Sequence, residues 1–440
     1  MSNTIDIGTT TVEPAGIKDH PPTESVKLHG PPGSGKTTNA TARVAMLLRD
    51  YEYTINDVTW LTYRKSLAMD TIRRLADAGV VDSDELTDPT NGATRYIGTA
   101  HAVANRVVSG AGEPIDESDK YAFAKQVNIK YKQGEPWNQT VGEQLFRVFQ
   151  YARNNLLDPT DRADLRHIPA YNELKENFSG SVPRLYEDWQ AYKRQHDKIM
   201  FWEMLAAPLE GNVTPNRPIL VVDEYHDAYP LLANLAEYWA EDAEIVIVPG
   251  DPHQVVNTYD GADPEFYHRL EYPEIELPTA WSRPPYEHWE VAKAVLSEAH
   301  TPPALDIRNQ GQFAVHRSPS FRRTAEEWDV PAPDKQHSPP WFVDTYGAET
   351  MFLTRTTFQL DAVARSLERA GILFATPGSS DVPGWQAPAN DEYSDRVAIY
   401  NALQKIRRLN PSAFDATVHG LGQYDDSETA DPKRVVLEPK

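Results

Sequence analysis

The sequence predicts an α/β protein built around a parallel sheet, and three observations support this fold class. From Val26 to about residue 100, short apolar runs alternate with segments of helical character, as in strand-helix-strand units. A glycine-rich loop, Gly30-Pro-Pro-Gly-Ser-Gly-Lys-Thr37, follows the first apolar run. Much later, a second apolar run ends in the acidic pair Asp223-Glu224.

The elements of the first half can be assigned in order. Residues 1–24 are polar and contain prolines, and they predict a disordered lead. The alternating segments are strand 26–29, helix 38–50, strand 58–62, helix 65–78 and strand 94–98. Residues 102–205 lack clear strands and show helical spacing, which predicts an α-helical insertion.

The α/β pattern resumes after this insertion. Strands are predicted at 218–222 and 244–248, so residues 25–101 and 206–290 should form one domain around the insertion. Residues 291–410 predict a second, partial α/β domain with strands at 350–354 and 371–375 and a helix at 358–370 between them. Residues 411–440 predict a polar tail.

Composition narrows the class of protein. The chain has no cysteine, which excludes disulfides, thiolate zinc sites and cysteine nucleophiles. No apolar run is long enough for a membrane span, and the N-terminus lacks a signal pattern, so we expect a soluble, cytoplasmic protein. A net charge of −22, spread along the chain, favours a high-salt, haloarchaeal cytoplasm, although an ordinary acidic protein with a local basic groove is the alternative.

The glycine-rich loop has the pattern of a nucleotide-phosphate cradle. Glycines let successive N–H groups face one anion, Lys36 reaches the outer phosphates, and the Thr37 hydroxyl ligates Mg²⁺. A simple glycine-rich turn is the competing interpretation. The predicted ligands are ATP and Mg²⁺, and the predicted nucleotide-binding residues are Gly30, Pro31, Pro32, Gly33, Ser34, Gly35, Lys36, Thr37 and Thr38.

Two later motifs supply the remaining chemistry. At the end of an apolar strand, Asp223 would hold the metal and Glu224 would polarise the attacking water, unless both are solvated acids. The turn Gly250-Asp-Pro-His-Gln254 would place the Gln254 amide near a γ-phosphate, where it could sense phosphate loss. The alternative is a plain Asp-Pro turn.

These motifs resemble the UvrD/Rep/PcrA group of superfamily 1 DNA helicases. Asp223-Glu-Tyr-His-Asp227 is similar to the group's Asp-Glu-Ala-Gln-Asp motif, and Gly250 to Ala262 is similar to its Gly-Asp-Pro-x-Gln block. Leu61 to Asp70 and Gly98-Thr-Ala-His101 resemble two further elements. The resemblance implies two RecA-like domains that close on ATP and move along DNA with 3′→5′ polarity.

The resemblance also implies a track for single-stranded or partly duplex DNA. Hydroxyls and an imidazole would contact phosphates, and tyrosines would stack on bases. The residues assigned to this track are Thr62, Tyr63, Thr99, His101 and Tyr259. The helical insertion would contact duplex or serve only as a scaffold.

The chain departs from the group's pattern at several positions. No glutamine precedes the phosphate loop, which weakens the case for adenine preference. His226 stands where the group has glutamine, and Asp260 stands where it has arginine. Arg283, one place late in its motif, is the candidate γ-phosphate contact, and a surface arginine is the alternative.

Residues 410–440 resemble neither of the group's C-terminal motifs, one of which supplies a second arginine to the γ-phosphate. We therefore expect the chain to bind nucleotide but to hydrolyse it slowly. The first functional hypothesis is an ATP-dependent DNA helicase or translocase, or its N-terminal portion. The second is a non-motor ATP-binding subunit or regulator, whose partner polypeptide carries the missing motifs. A P-loop kinase is a third, which leaves Gly250 to Ala262 unexplained.

Overall fold

The computed structural model describes part of the chain. The described residues are 3–8, 10–63, 65–81, 92–108, 112–132, 139–281, 289–290, 293–294, 306–307, 322–323, 328–329, 336–346, 350, 352 and 357–370. Two compact units divide the chain, Met1–Phe313 and Ala314–Lys440. This division lies later than the predicted boundary between residues 290 and 291.

A six-stranded, all-parallel sheet forms the centre of the first unit, with strand order β10-β3-β9-β8-β4-β5. This confirms the predicted α/β fold class. The strands are β3 (Val26–His29), β4 (Val58–Thr62), β5 (Ile97–Thr99), β8 (Ile219–Val222), β9 (Ile245–Gly250) and β10 (Glu274–Glu276).

Helices flank this sheet and fill the interval between β5 and β8. Those before the interval are α1 (Lys36–Asp50) and α2 (Lys65–Asp77). The interval holds α3 (Ala100–Val107), α4 (Glu117–Gln126), α5 (Val141–Asn154), α6 (Arg162–Leu165), α7 (Pro169–Asn177), α8 (Val182–His196) and α9 (Phe201–Gly211). Two more follow β8, namely α10 (Pro230–Asp242) and α11 (Glu265–His268).

Short strands complete the described part of the unit. Two-residue strands β6 (Glu113–Pro114) and β7 (Lys198–Ile199) pair in parallel within the helical interval. Strands β11 (Thr279–Ala280) and β12 (Asp306–Ile307) form a second parallel pair.

The central strands are apolar on both faces, as expected for a parallel sheet covered by helices. All four residues of β8 are buried, and so are all six of β9. One core lies between the sheet and helices α1 and α2, and includes Val26 and Leu47. The other combines sheet residues such as Leu220 with Phe123 and Trp189 of the helical interval. The helical insertion and the sheet therefore share one core.

The N-terminal segment differs from the prediction of a disordered lead. Strands β1 (Ile5–Ile7) and β2 (Thr10–Val12) form an antiparallel pair. The isoleucines Ile5, Ile7 and Ile17 are buried against the first core, and this apolar burial offsets the cost of ordering the segment.

An arginine in α1 fixes the backbone that follows this hairpin. Arg43 is fully buried and donates hydrogen bonds to the carbonyls of Ala15 (2.8 Å) and His20 (3.0 Å). Asn39 Oδ1 accepts the Ala15 N–H at 2.7 Å. Nothing in the sequence around Arg43 indicates that its side chain binds a distant part of the backbone. The sequence therefore does not predict that the N-terminal segment is ordered.

The second unit has four described elements. Strands β13 (Arg322–Arg323) and β14 (Trp328–Asp329) pair in antiparallel fashion. Helices α12 (Pro339–Tyr346) and α13 (Thr357–Arg369) pack on each other. The predicted strands at 350–354 and 371–375 fall largely or wholly outside the described residues, as does the predicted tail 411–440. Within the described ranges, every helix is too short or too polar to cross a bilayer.

Candidate nucleotide and DNA site

The predicted nucleotide motifs meet at the carboxyl ends of neighbouring strands. The phosphate loop follows β3, Asp223 follows β8, and Asp251 follows β9, which lies between those two strands. Loops that leave one edge of a parallel sheet converge, and ligands of open α/β sheets bind at that edge. The topology therefore brings together motifs that lie far apart in the sequence.

Glycines shape the phosphate loop. Gly33 (φ 75°) and Gly35 (φ 87°) adopt left-handed backbone conformations, and α1 begins immediately afterwards at Lys36. A Cβ on Gly30 would lie 2.5 Å from Ser34 Oγ and 2.8 Å from the Leu277 Cβ. The loop thus needs glycine for both its turns and its packing, and it leads into a helix N-terminus suited to anions.

The Lys36 ammonium points into this loop. Its Nζ donates hydrogen bonds to the carbonyls of Gly30 (2.7 Å) and Pro31 (3.3 Å). Burial lowers the pKa of Lys36, an effect opposed by the charges of Glu224, Asp251 and Asp223. Both of these acceptors are neutral carbonyls, so the ammonium charge remains available to an anion in the loop.

Thr37 and Asp223 lie in direct contact. The Thr37 hydroxyl donates a hydrogen bond of 3.1 Å to Asp223 Oδ2. Asp223 is almost fully buried, and burial together with the charge of Glu224 raises its pKa to about 7. A buried carboxylate beside a hydroxyl is a donor set that Mg²⁺ favours, because a cation offsets the desolvation of the anion.

Glu224 has an unusual backbone conformation. Its φ of 55° and ψ of 37° place this non-glycine residue in the left-handed region. Its Oε2 atom is buried and accepts no hydrogen bond from any described residue. Strain of this kind, of order 1–3 kcal/mol, often marks a functional site, and the unsatisfied oxygen can accept a proton or a water.

The chain's own residues fit a magnesium-nucleotide. Ser34 Oγ is a second buried atom without a hydrogen-bond partner among the described residues, and it lies in the loop that would hold phosphates. Thr37 and Asp223 would hold the metal, and Lys36 would neutralise phosphate charge.

A cavity of about 810 Å³ opens beside these residues. Its wall includes Trp281, which lies in the same motif as Arg283, and several residues that the sequence motifs do not indicate, namely Ile7, Thr10, Thr11, Val12, Glu13, Asn39 and Arg74. Arg74 donates to Thr38 Oγ1 at 2.9 Å. Trp281 is 65% exposed, and its backbone N–H donates to the Gly33 carbonyl. An aromatic face at this position can stack on a nucleobase. Gln254 and Glu224 also line this cavity, next to the phosphate loop.

The His226 ring lies between Glu224 and the loop after β9. His226 is buried, and its Nδ1 lies 3.6 Å from Glu224 Oε2 while accepting the Asp251 N–H at 3.1 Å. The Asp251 carboxylate accepts a 2.6 Å hydrogen bond from Gln254 Nε2. Burial lowers the pKa of His226, which favours the neutral ring that this acceptor role requires.

Asp227 extends this network towards the predicted DNA track. Its carboxylate accepts hydrogen bonds from the Val256 N–H (3.2 Å) and from Asn257 Nδ2 (2.9 Å). Its backbone carbonyl accepts the Tyr63 hydroxyl. The acidic motif, the loop after β9 and the end of β4 are therefore linked by a continuous set of contacts.

The predicted DNA-contacting residues differ in exposure. Thr62 is 3% exposed and its hydroxyl donates to the Gly98 carbonyl at 3.3 Å, so its burial does not support a DNA contact. Tyr63 is half-buried with its hydroxyl turned inward, and burial raises its pKa. Only part of its ring can meet a base. Tyr259 is 73% exposed and remains available for stacking.

Thr99 and His101 lie together at the start of α3. The Thr99 hydroxyl accepts the Ala102 N–H at 3.3 Å and so caps the helix. His101 is half-buried, with Nε2 3.2 Å from the Tyr229 hydroxyl and its ring edge-on to Phe201. Burial lowers its pKa to about 4, so it is neutral near neutral pH. Phe201, 58% exposed, is an aromatic neighbour that no sequence motif indicates.

Comparison with known proteins decides the family. A profile described as the UvrD/REP helicase N-terminal domain matches residues 16–273, which is more than half of the chain. The chain belongs to the UvrD/REP helicase family.

Individual relatives are distant. The chain is 22% identical over 413 residues to the ATP-dependent DNA helicase UvrD2 of Mycobacterium tuberculosis, covering 88% of this chain and 56% of UvrD2. The same values hold for UvrD2 of Mycobacterium bovis. The putative ATP-dependent DNA helicase YjcD of Bacillus subtilis is 22% identical over 251 residues, covering 53% of this chain and 31% of YjcD. The chain spans about half the length of the UvrD2 relatives and a smaller share of YjcD.

The structure shows the surroundings of His226 and Asp260, two residues that depart from the UvrD/REP pattern. His226 occupies the junction between Glu224 and Asp251, as described above. Asp260 faces α5: Gln150 Nε2 lies 3.5 Å from its carboxylate, and Asn155 Nδ2 donates to its backbone carbonyl at 3.1 Å. Next to it, Gly261 has a φ of 100°, and a Cβ there would clash with the Asn155 amide at 2.1 Å. This loop is therefore fitted closely to the helical segment.

Arg283, the candidate γ-phosphate contact, lies outside the described residues. Of the predicted nucleotide and metal residues, the structure brings together the phosphate loop, Asp223, Glu224 and Gln254.

Proposed function

We propose that the chain is an ATP-dependent DNA helicase or translocase of the UvrD/REP type. The observation that carries the proposal is the contact between Thr37 and Asp223 beside the Lys36 ammonium. The same arrangement of hydroxyl, carboxylate and lysine holds Mg²⁺ and phosphates in P-loop NTPases.

Each residue has a defined task in this proposal. Lys36 binds the outer phosphates, and Thr37 and Asp223 hold Mg²⁺. The metal, when bound, neutralises charge that develops on the phosphates. Glu224 orients the attacking water and accepts its proton, since its Oε2 is buried and has no other partner among the described residues.

The hydrogen bonds around His226 support coupling between hydrolysis and DNA. Glu224 Oε2 and the Asp251 N–H both lie within 3.6 Å of His226 Nδ1, and the Asp251 carboxylate accepts a hydrogen bond from Gln254. A change at Glu224 would therefore reach Asp251 and Gln254 through the His226 ring. Asp227 passes the same change to Val256 and thence to the loop that carries Tyr259. We infer that this loop alters its hold on single-stranded DNA during the cycle, with the 3′→5′ polarity that the resemblance implies.

Steady-state ATP hydrolysis, with and without single-stranded DNA, tests the proposal. We expect Mg²⁺-dependent turnover stimulated by DNA in the 440-residue chain. Lys36→Ala should abolish turnover, while Lys18→Ala, a change at an exposed lysine, should leave it intact. Full ATPase activity in the Lys36→Ala variant would overturn the assignment of the site.

The same assay distinguishes the second hypothesis. Tight Mg²⁺-dependent ATP binding without turnover, unaffected by DNA, would favour a non-motor subunit that acts with a partner polypeptide. Phosphate transfer to an acceptor, with no DNA effect, would favour a kinase.

Two further expectations belong to this proposal. A cytoplasmic location stays a prediction. A high-salt cytoplasm rests on the net charge of −22 alone, and relatives from Mycobacterium and Bacillus subtilis give it no support. DNA-stimulated ATPase that rises with KCl into the molar range would support it, and loss of folding there would contradict it.

A further inference from the structure

A cluster of metal-ligating side chains lies where β3 pairs with β10, the strand at the edge of the sheet. The parallel register places Glu276 beside His29 and Glu274 beside Lys27. In each strand the intervening residue is buried in the core that the sheet shares with α1. Because successive side chains of a strand alternate between faces, the four ionisable side chains lie together on the opposite face.

The distances within this cluster suit a metal ion. His29 Nδ1 lies 3.4 Å from Glu274 Oε1. One nitrogen or oxygen atom from each of His29, Glu274 and Glu276 lies within 4.8 Å of the other two. Two ligands that are each about 2.0–2.1 Å from a tetrahedral metal ion lie about 3.3 Å apart, so the first pair already has this spacing. Glu276 is exposed, and rotation of its side chain can close the remaining gap.

The charges of the cluster also favour a cation. Glu274 Oε2 pairs with the Lys27 ammonium at 3.2 Å, which leaves Oε1 facing the His29 ring. Asp251 Oδ1 lies 3.9 Å from the other nitrogen of that ring, so carboxylates flank the imidazole on both sides. The two glutamates carry one more charge than Lys27 offsets. A divalent cation would neutralise this excess.

A buried tyrosine adds an independent observation. Tyr267 is fully buried, with its ring centre 6.2 Å from that of His29 and 5.2 Å from the Lys27 ammonium. Its hydroxyl has no hydrogen-bond partner among the described residues. Burial, together with the charges of Glu274 and Asp251, raises the pKa of Tyr267, so the hydroxyl stays a donor in the field of these carboxylates. A water bound to a metal in the cluster would offer this donor an acceptor.

We propose that His29, Glu274 and Glu276 bind a divalent transition-metal ion such as Zn²⁺, with water completing its coordination. Imidazole nitrogen and carboxylate oxygen are ordinary Zn²⁺ ligands, and sites with three protein ligands and a water are common. The site shares no ligand with the Mg²⁺ site at Thr37 and Asp223, and it does not depend on the proposed function. An ion pair between protonated His29 and Glu274 is the competing interpretation.

The position of the site gives it a defined structural effect. His29 is the last residue of β3, and the phosphate loop begins at the next residue, Gly30. The Leu277 N–H donates to the His29 carbonyl at 2.7 Å, and β10 ends just before Leu277. A metal ion held by both strands would therefore fasten β10 to β3 at the base of the phosphate loop, and should raise the melting temperature of the protein.

Calorimetric titration of Zn²⁺ into the untagged, chelator-treated full chain tests the proposal. Excess Mg²⁺ is present throughout, so that the nucleotide site does not take up Zn²⁺. The variants are His29→Gln and Glu276→Gln, and the second changes an exposed side chain that the fold does not need. Glu271→Gln is the matched control, since it removes the same charge from an exposed position three residues before β10.

We expect the wild type and Glu271→Gln to bind one Zn²⁺ more tightly than any other. Each ligand variant should lower this affinity by more than about 10-fold, the loss typical when even an outer-shell partner of a metal site is removed. Zn²⁺ should raise the melting temperature of the wild type but not of the ligand variants. With Co²⁺ as the probe, the visible absorption of an imidazole- and carboxylate-bound ion should appear only in the wild type and the control.

The outcomes decide between the interpretations. Binding that is lost in both ligand variants and kept in Glu271→Gln and Asp223→Asn supports the site. Equal Zn²⁺ affinity in the wild type and Glu276→Gln, or the absence of saturable binding in the wild type, overturns it in favour of the ion pair. Loss of Zn²⁺ binding in Asp223→Asn would assign the ion to the nucleotide site instead. A chain without ATPase activity that still binds Zn²⁺ through His29 and Glu276 would contradict only the proposed function.

Discussion

The Thr37 hydroxyl lies 3.1 Å from the Asp223 carboxylate, although 186 residues separate the two in the sequence. This contact joins the phosphate loop to the acidic strand end. It leaves Asp223 buried, with a pKa raised to about 7 by burial and by the charge of Glu224. Burial of this carboxylate beside Glu224 has an electrostatic cost, which a bound cation would reduce.

Replacing Asp223 with asparagine should raise the stability of the protein while abolishing its Mg²⁺-dependent activity. The folded-state pKa of about 7 exceeds the ordinary 3.8, so folding binds a proton and the free energy of unfolding falls as pH rises from 3.8 through 7. Asp223→Asn lacks this titration. Without metal and nucleotide, it should be more stable than the wild type above pH 7, on the order of a few kcal/mol.

Urea denaturation across this pH range, without Mg²⁺, measures the effect, and Asp19→Asn at an exposed position is the control. The Asp223→Asn variant should also lose Mg²⁺-dependent hydrolysis. A variant less stable than the wild type at every pH would contradict the electrostatic account.

Replacing His226 should uncouple the loop after β9. His226→Ala leaves the Asp251 N–H without its acceptor, a loss worth about 1–3 kcal/mol for a buried donor. We expect DNA stimulation of the ATPase to fall more than the basal rate. His226→Gln offers an amide oxygen as acceptor and should retain most of the stimulation. Equal stimulation in wild type and His226→Ala would show that this ring does not transmit the signal.

Removing the exposed ring of Tyr259 should weaken DNA binding without affecting the fold. Base stacking on an aromatic residue is worth about 1–3 kcal/mol, so Tyr259→Ala should lower affinity for single-stranded DNA roughly 5- to 150-fold. Tyr259→Phe keeps the ring and should bind normally. Fluorescence anisotropy over a salt series gives the affinity, and its salt slope should not change. Normal binding by Tyr259→Ala would remove this residue from the DNA track.

Acid should destabilise the protein partly through His101. Burial lowers its folded-state pKa from 6.5 to about 4, so the unfolded chain binds an extra proton between these values. The contribution is present above pH 6.5 and is lost as pH falls towards 4, and its size is on the order of 3 kcal/mol. Thermal melts of His101→Gln should show a shallower decline over this range than wild type or the exposed-site control His268→Gln. If the melting temperature of His101→Gln falls with pH as steeply as that of the wild type, groups other than His101 cause the acid sensitivity.

Loss of Arg43 should release the N-terminal segment and loosen the nucleotide cavity. Arg43→Ala removes the donors to the Ala15 and His20 carbonyls, which should cost at least about 1–3 kcal/mol of unfolding free energy. Because the hairpin lines the cavity, ATP affinity should also fall. Limited proteolysis of the first 25 residues and nucleotide titration measure both effects, with the exposed Arg73→Ala as control. Unchanged proteolysis would show that the apolar contacts alone hold the segment.

Much of this site could be predicted from the sequence, because its motifs are local. The phosphate loop, Asp223 and Gln254 each follow an apolar strand, and parallel strands bring their carboxyl ends together. The role of His226 and the wall residue Arg74 could not be predicted, since their partners come from distant elements. Thr62 is the opposite case. Its position in a motif suggested a DNA contact, but its side chain is buried in the sheet, and this burial depends on packing that the sequence does not reveal.

The fit between Gly261 and Asn155 has a mechanical consequence. With no space for even one methyl group between them, and with Asn155 holding the Asp260 carbonyl, the loop that bears Tyr259 cannot slide past α5. If the proposed cycle moves this loop, the movement must either break that hydrogen bond or displace the end of α5 with it.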